Sequence, residues 1–190
     1  SLLAVACGGG KETDAEKLVP EGTNLIARVN LAGILSSDAL ATIVESVPQD
    51  WDGPGTMDDL LDDAAREIGV EIRQISSLTL FGDISRQEEY FGVIAQGRFE
   101  EAALIASIQQ ATGVSFTTGD YKGRSLYTFE DDADAPVLAF LEGDNLVFGA
   151  SDAVRAVIDV QDGDRDRVSG KLRDAFKDLG SGLFKLEIDL

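Results

Sequence analysis

Apolar residues recur along this chain at two periods, and each period marks an element. Leu25, Ala27, Val29 and Leu31 alternate with Ile26, Arg28 and Asn30, the period of a strand. Leu40, Ile43, Val44 and Val47 are spaced as one face of a helix, which Ser36 or Ser37 caps and Pro48 ends. A second helical stripe (Met57, Leu60, Leu61, Ala64, Ala65, Ile68) opens at Thr56, has Asp59 in a capping-box place and stops at Gly69. Residues 72–84 and 90–98 read as strands joined by a polar turn around Arg86-Gln87-Glu88-Glu89. A third helix starts at Phe99-Glu100-Glu101, carries Leu104, Ile105, Ile108 and Ala111, and ends at Gly113. Four short strands follow, 114–119, 124–130, 136–142 and 145–150, separated by turns rich in Gly, Asp and Asn. Ser151 is expected to cap a helix with Val154, Val157 and Ile158. A shorter helix carries Leu172, Ala175, Phe176 and Leu179, and Phe184, Leu186, Ile188 and Leu190 alternate as a last strand.

Hairpins dominate this order and helices come between them. The fold class is therefore α+β: a largely antiparallel sheet of hairpins with helices packed on one face. Val137-Leu138-Ala139-Phe140-Leu141 is apolar throughout and is expected inside the sheet. The globular domain is placed at 19–182. Residues 183–190 repeat the pattern of 24–31, ending Asp189-Leu190 where the earlier stretch has Asn30-Leu31. This suggests the first strand of a second repeat, and a chain that is a piece of a longer protein.

Charge narrows the function. Among 190 residues there are 35 Asp and Glu against 16 Lys and Arg, a net charge of −19. Such a chain repels phosphate backbones, so no nucleic acid is expected as a partner. With no histidine there is no Ser-His-Asp triad and no HExxH zinc site, and one cysteine permits no internal disulfide. Asp exceeds Glu by 22 to 13 and Arg exceeds Lys by 10 to 6, a surface suited to strong salt. No Walker, dinucleotide or nucleophile-elbow motif is present, and no cofactor is expected.

The single cysteine carries the strongest local signal. It stands in Leu3-Ala4-Val5-Ala6-Cys7, followed by three glycines and a polar stretch to Lys17. This resembles the end of a signal peptide of prokaryotic membrane lipoproteins, although Ala4 stands where Leu is usual. The resemblance implies that residues 1–6 end a signal peptide and that Cys7 is the lipidation site. Residues 7–18 are then a lipidated Cys and flexible tether, and the protein is extracytoplasmic, anchored to the membrane by lipid at Cys7. Each buried acyl CH₂ would contribute about 0.8 kcal/mol. The other reading is a buried thiol in an ordinary apolar segment.

Two further candidates come from the residues themselves. Asp162, Asp164 and Asp166 alternate as in a calcium loop, but Arg167 and Arg173 occupy the places of the turn glycine and the bidentate glutamate. The alternative is a solvated loop between helices. Trp51 lies in the loop Pro48-Gln49-Asp50-Trp51-Asp52-Gly53-Pro54, where it either plugs the core or projects as a binding anchor. The function expected is that of a lipid-anchored, non-enzymatic binding or scaffold module of the envelope, its partner an unidentified protein or small molecule. A solute- or cation-binding cargo protein and a carboxylate-dependent extracytoplasmic hydrolase are the alternatives.

Overall fold

The computed structural model describes residues 15–37, 57–86, 90–129, 135–178 and 182–189. After a 3₁₀ turn at Glu16–Leu18 come β1 (Leu25–Val29), α1 (Leu31–Leu35), α2 (Met57–Ile68), a 3₁₀ turn (Ile72–Gln74), β2 (Ile75–Gly82) and β3 (Phe91–Gly97). Then follow α3 (Glu101–Thr112), β4 (Phe116–Tyr121), β5 (Arg124–Phe129), β6 (Val137–Leu141), β7 (Asn145–Gly149), α4 (Ser151–Asp162), α5 (Gly170–Asp178) and β8 (Phe184–Ile188). The fold is α+β. One eight-stranded sheet runs β4-β5-β6-β7-β3-β2-β1-β8, and every pairing is antiparallel.

Local chemistry sets several boundaries. β1 ends at Val29, two residues short of the expected span, because Asn30 turns the chain into α1: its side-chain oxygen accepts from the Gly33 amide at 2.9 Å. The expected cap by Ser151 is not made; Ser151 is itself the first helical residue and Ala150 precedes it. α3 begins where Glu100 accepts from the Ala103 amide at 2.7 Å and ends at Gly113, whose φ of +71° suits a left-handed cap. Ser36 and Ser37, expected to cap a helix that runs to Pro48, instead follow the end of α1, their hydroxyls donating to the Gly33 and Ile34 carbonyls at 3.2 and 2.8 Å; residues 38–48 and the acidic turn at 130–134 lie outside the described residues.

Directly opposed residues in antiparallel strands share a face, so the register separates two cores. On one face a row runs Lys185, Arg28, Thr79, Ile94, Val147, Ala139, Leu126 from the β8 edge inward. The next row runs Glu187, Ile26, Phe81, Gly92, Gly149, Val137. Ala15, Val19, α4 (Val154, Val157, Ile158) and α5 (Leu172, Phe176) close over this face. Gly92 and Gly149 face each other because the Phe81 ring covers Gly92, where an added Cβ would lie 2.4 Å from the ring.

The opposite face carries Leu186, Ala27, Leu80, Val93, Phe148, Leu138 and Tyr127 in one row, and Phe184, Val29, Leu78, Ala95, Leu146 and Phe140 in another. Leu104, Ile105 and Ile108 of α3 pack on the β3–β7 part of it, and α2 packs against α3. The helix layer is thus full on one face and partial on the other. β6 lies inside the sheet, with Val137, Leu138 and Ala139 buried, as its continuous apolar run requires. Residues 184–188 form the edge strand beside β1 in this same sheet.

Candidate functional site

Three features stand out on this frame. The first is a group of buried charges where the N-terminal segment meets the β8 edge. Arg28 and Lys185 sit directly opposite each other on the inward face, a like-charge pair that a sheet by itself disfavours. Glu16, from the N-terminal 3₁₀ turn, reaches between them, 3.4 Å from Arg28 Nη1 and 3.8 Å from Lys185 Nζ. The Lys185 side chain is 1% exposed and its ammonium lies 5.1 Å from the centre of the Phe176 ring. Burial pushes the Lys185 ammonium below its ordinary pKa, against the pull of Glu16 and with help from Arg28. Two residues on, Glu187 is fully buried and neither carboxylate oxygen finds a hydrogen-bond donor. Burial, and then the nearby Asp189, raises its pKa. A small cavity of about 10 Å³ borders the group, walled by Glu16, Ile26, Arg173, Phe176 and Lys177 among others. It has room for about one water molecule.

The second feature answers the calcium reading. α4 ends with Asp159 and Asp162, carboxylates at the helix end where the dipole favours cations. The β4–β5 hairpin supplies those cations. Lys122 and Gly123 both take positive φ, as a two-residue hairpin turn requires, and this lays Lys122 and Arg124 against the end of α4. Arg124 grips Asp162 with two hydrogen bonds of 2.8 and 2.9 Å, which hold the Asp162 carboxyl below its usual pKa. Lys122 bonds Asp159 and, at 2.8 Å, Asp164. Tyr121 donates to Asp159 at 3.0 Å. The peptide carbonyl of Asp166 accepts from the Glu21 amide at 2.9 Å, which ties the loop to the N-terminal segment. The structure thus divides the three aspartates among different partners. Among the described residues no group of three or more His, Cys, Asp or Glu side chains is placed to hold a metal ion.

The third feature is the part of the apolar face that α2 and α3 do not reach. Leu80 is 37% exposed and Phe184 48%; Leu183, beyond the far end of β1 beside Asn30, and Ile84, at its near end beside Asn24, are exposed as well. The last strand is inverted relative to an ordinary edge: its charged residues point into the core and its apolar set lies on this open side. The alternation of Phe184, Leu186 and Ile188 locates the strand, but register with β1 decides which set goes inside. That register is the signal sequence reading lacked for Glu16, Arg28, Lys185 and Glu187. Asp58, Asp59, Asp62 and Asp63 of α2 are exposed; Arg66 pairs with Asp63, while Asp62 and Asp58 bind Arg73 at 2.6 and 2.8 Å. Cys7 and Trp51 lie outside the described residues. No described helix is long and apolar enough to cross a membrane.

No protein-family model matches the chain, and no curated protein sequence matches it. Solved structures do. Crystal form III of TP0453 superposes with a TM-score of 0.55 at 13% identity, form IV with 0.53 at 11% and form I with 0.52 at 13%. Each match covers 93% of this chain and 63% or 64% of the TP0453 chain. This chain therefore spans less than two thirds of the length of TP0453, and what it shares with that protein is the fold.

Proposed function

We propose that this chain is a lipid-anchored extracytoplasmic protein, held to the membrane through Cys7, that acts as a non-enzymatic binding or scaffold module of the envelope. The observation that carries the binding role is the open apolar face around Leu80 and Phe184. Leu80 and Phe184 lie on the same sheet face, and large apolar side chains left exposed there are surface that a partner can cover. The partner this surface fits is a protein presenting an apolar patch with a basic rim, because a chain of net charge −19 steers cations toward it. Ala15 is already buried in the core, so the tether reduces to the seven residues 8–14. At ~3.5 Å per extended residue it reaches about 25 Å, which keeps the domain close to the bilayer. The buried carboxylate Glu16 is engaged by two cations, an arrangement that suits a structural tie better than acid–base work.

A photo-crosslinker at Leu80 in whole cells tests the binding role. The proposal expects one crosslinked protein product, weakened by salt, lost with Phe184→Asp and kept with Thr118→Glu on the far edge strand. A product that survives Phe184→Asp unchanged contradicts it.

A further inference from the structure

We propose that Arg28 and Lys185, with Arg173 and Lys177 nearby, form a carboxylate-binding pocket that the protein fills with its own Glu16, and that this contact makes docking of the N-terminal segment and of β8 a single event. Arg28 of β1 and Lys185 of β8 flank Glu16, and Arg173 and Lys177 of α5 line the small cavity that Glu16 also borders. A pocket with more cations than anions attracts a carboxylate, and here a guanidinium and an ammonium flank one. Arg28 Nε is buried and makes no hydrogen bond, so the pocket has donor capacity that Glu16 leaves unused. The space a carboxylate would take is the one Glu16 itself fills, and the adjoining cavity has room for about one water molecule.

The coupling follows from where the ties lie. Backbone bonds join the N-terminal segment to the loop before α5: Val168 donates to Val19 at 2.8 Å and Glu21 donates to Asp166 at 2.9 Å. Those bonds do not reach β8. Glu16 reaches β8 through its ion pair with Lys185, which adds a side-chain tie to the β1–β8 ladder and the Asp189-to-Asn24 backbone bond of 2.9 Å. When Glu16 withdraws, Arg28 and Lys185 are left buried and directly opposed, which is among the costlier arrangements a sheet can hold. β8 then opens as well. The ligand class of the emptied pocket is a small carboxylate, free or as the side chain of an acidic segment.

Hydrogen exchange on the full chain with Glu16→Ala tests this. Exchange should accelerate in residues 15–20 and in 184–188 together, by about a hundredfold or more. Sodium acetate should restore slow exchange in 184–188 where sodium chloride of equal ionic strength does not. Should Glu16→Ala fail to fold, Glu16→Ala/Arg28→Met/Lys185→Met is read instead: it removes both opposed charges and should fold with β8 protected and without acetate. The proposal is overturned if acetate acts no better than chloride, if β8 stays protected while 15–20 opens, or if the triple variant also fails to fold.

Discussion

Lys185→Met has an effect whose sign the buried charges decide. Lys185 is 1% exposed, and its ammonium shares Glu16 with Arg28. Counted over these three groups, one negative and two positive charges leave an excess of +1, and Lys185→Met brings it to zero. Glu16 keeps its partner Arg28 at 3.4 Å, so no carboxylate is stranded. Met fills nearly the same volume and places a thioether near Phe176 where the ammonium stood. Replacing buried charge by a packed apolar group of similar size is worth about 1–4 kcal/mol when nothing is left unpaired. Against the loss of one ion-pair contact, we expect a net gain of about 1–2 kcal/mol. Urea unfolding at pH 7, followed by far-UV circular dichroism, measures it as a shift in midpoint at constant slope. The pH dependence gives a second check. The folded pKa of Lys185 is lowered from 10.5, so the stability its neutral form contributes is full above that value and is lost as pH falls through the folded pKa. The advantage of Lys185→Met should therefore be greatest at low pH and fade toward pH 10.5. A loss of more than ~1 kcal/mol at pH 7 would show instead that the ammonium is a net support of the cluster.

Other expectations follow from the same geometry. Glu187→Gln should stabilise the chain increasingly as pH rises from 4.5, because the folded pKa of Glu187 is raised and its neutral form's contribution is lost as pH climbs through it; thermal melts across pH read this. Asp162→Asn should behave in the opposite way. The grip of Arg124 lowers the Asp162 pKa from 3.8, so the wild-type advantage present above that pH should vanish as pH falls through the folded value. Calcium at millimolar levels should raise the melting temperature no more than an equal ionic strength of sodium, since Arg124 and Lys122 already hold Asp162 and Asp164. Gly149→Ala should cost about 1–3 kcal/mol or more in urea unfolding. Its φ is +152° and a Cβ would lie 2.4 Å from the Phe91 carbonyl oxygen, which belongs to the backbone of the neighbouring strand.

The elements were legible wherever period and punctuation agreed. Strands β2 to β7 and helices α2 to α5 fall within a few residues of their apolar patterns, because Gly69, Gly113 and the hairpin turns mark the breaks. α1 escaped because Asn30 continues the strand's alternation and also caps a helix; the competing roles are settled only when its side chain reaches the Gly33 amide. The charge cluster escaped for a different reason. A two-residue period in β8 is equally consistent with either set facing inward, and only pairing with Arg28 puts Lys185 and Glu187 inside. The alternating aspartates showed their positions but not their partners, since Lys122 and Arg124 lie 37 to 42 residues away in sequence.

Mass spectrometry of the natively expressed protein reads the proposed lipid anchor itself. The expected result is a mature N-terminal peptide that begins at Cys7 and carries the added mass of a diacylglyceryl group. An unmodified Cys7 in a peptide still joined to Ala6 would contradict it.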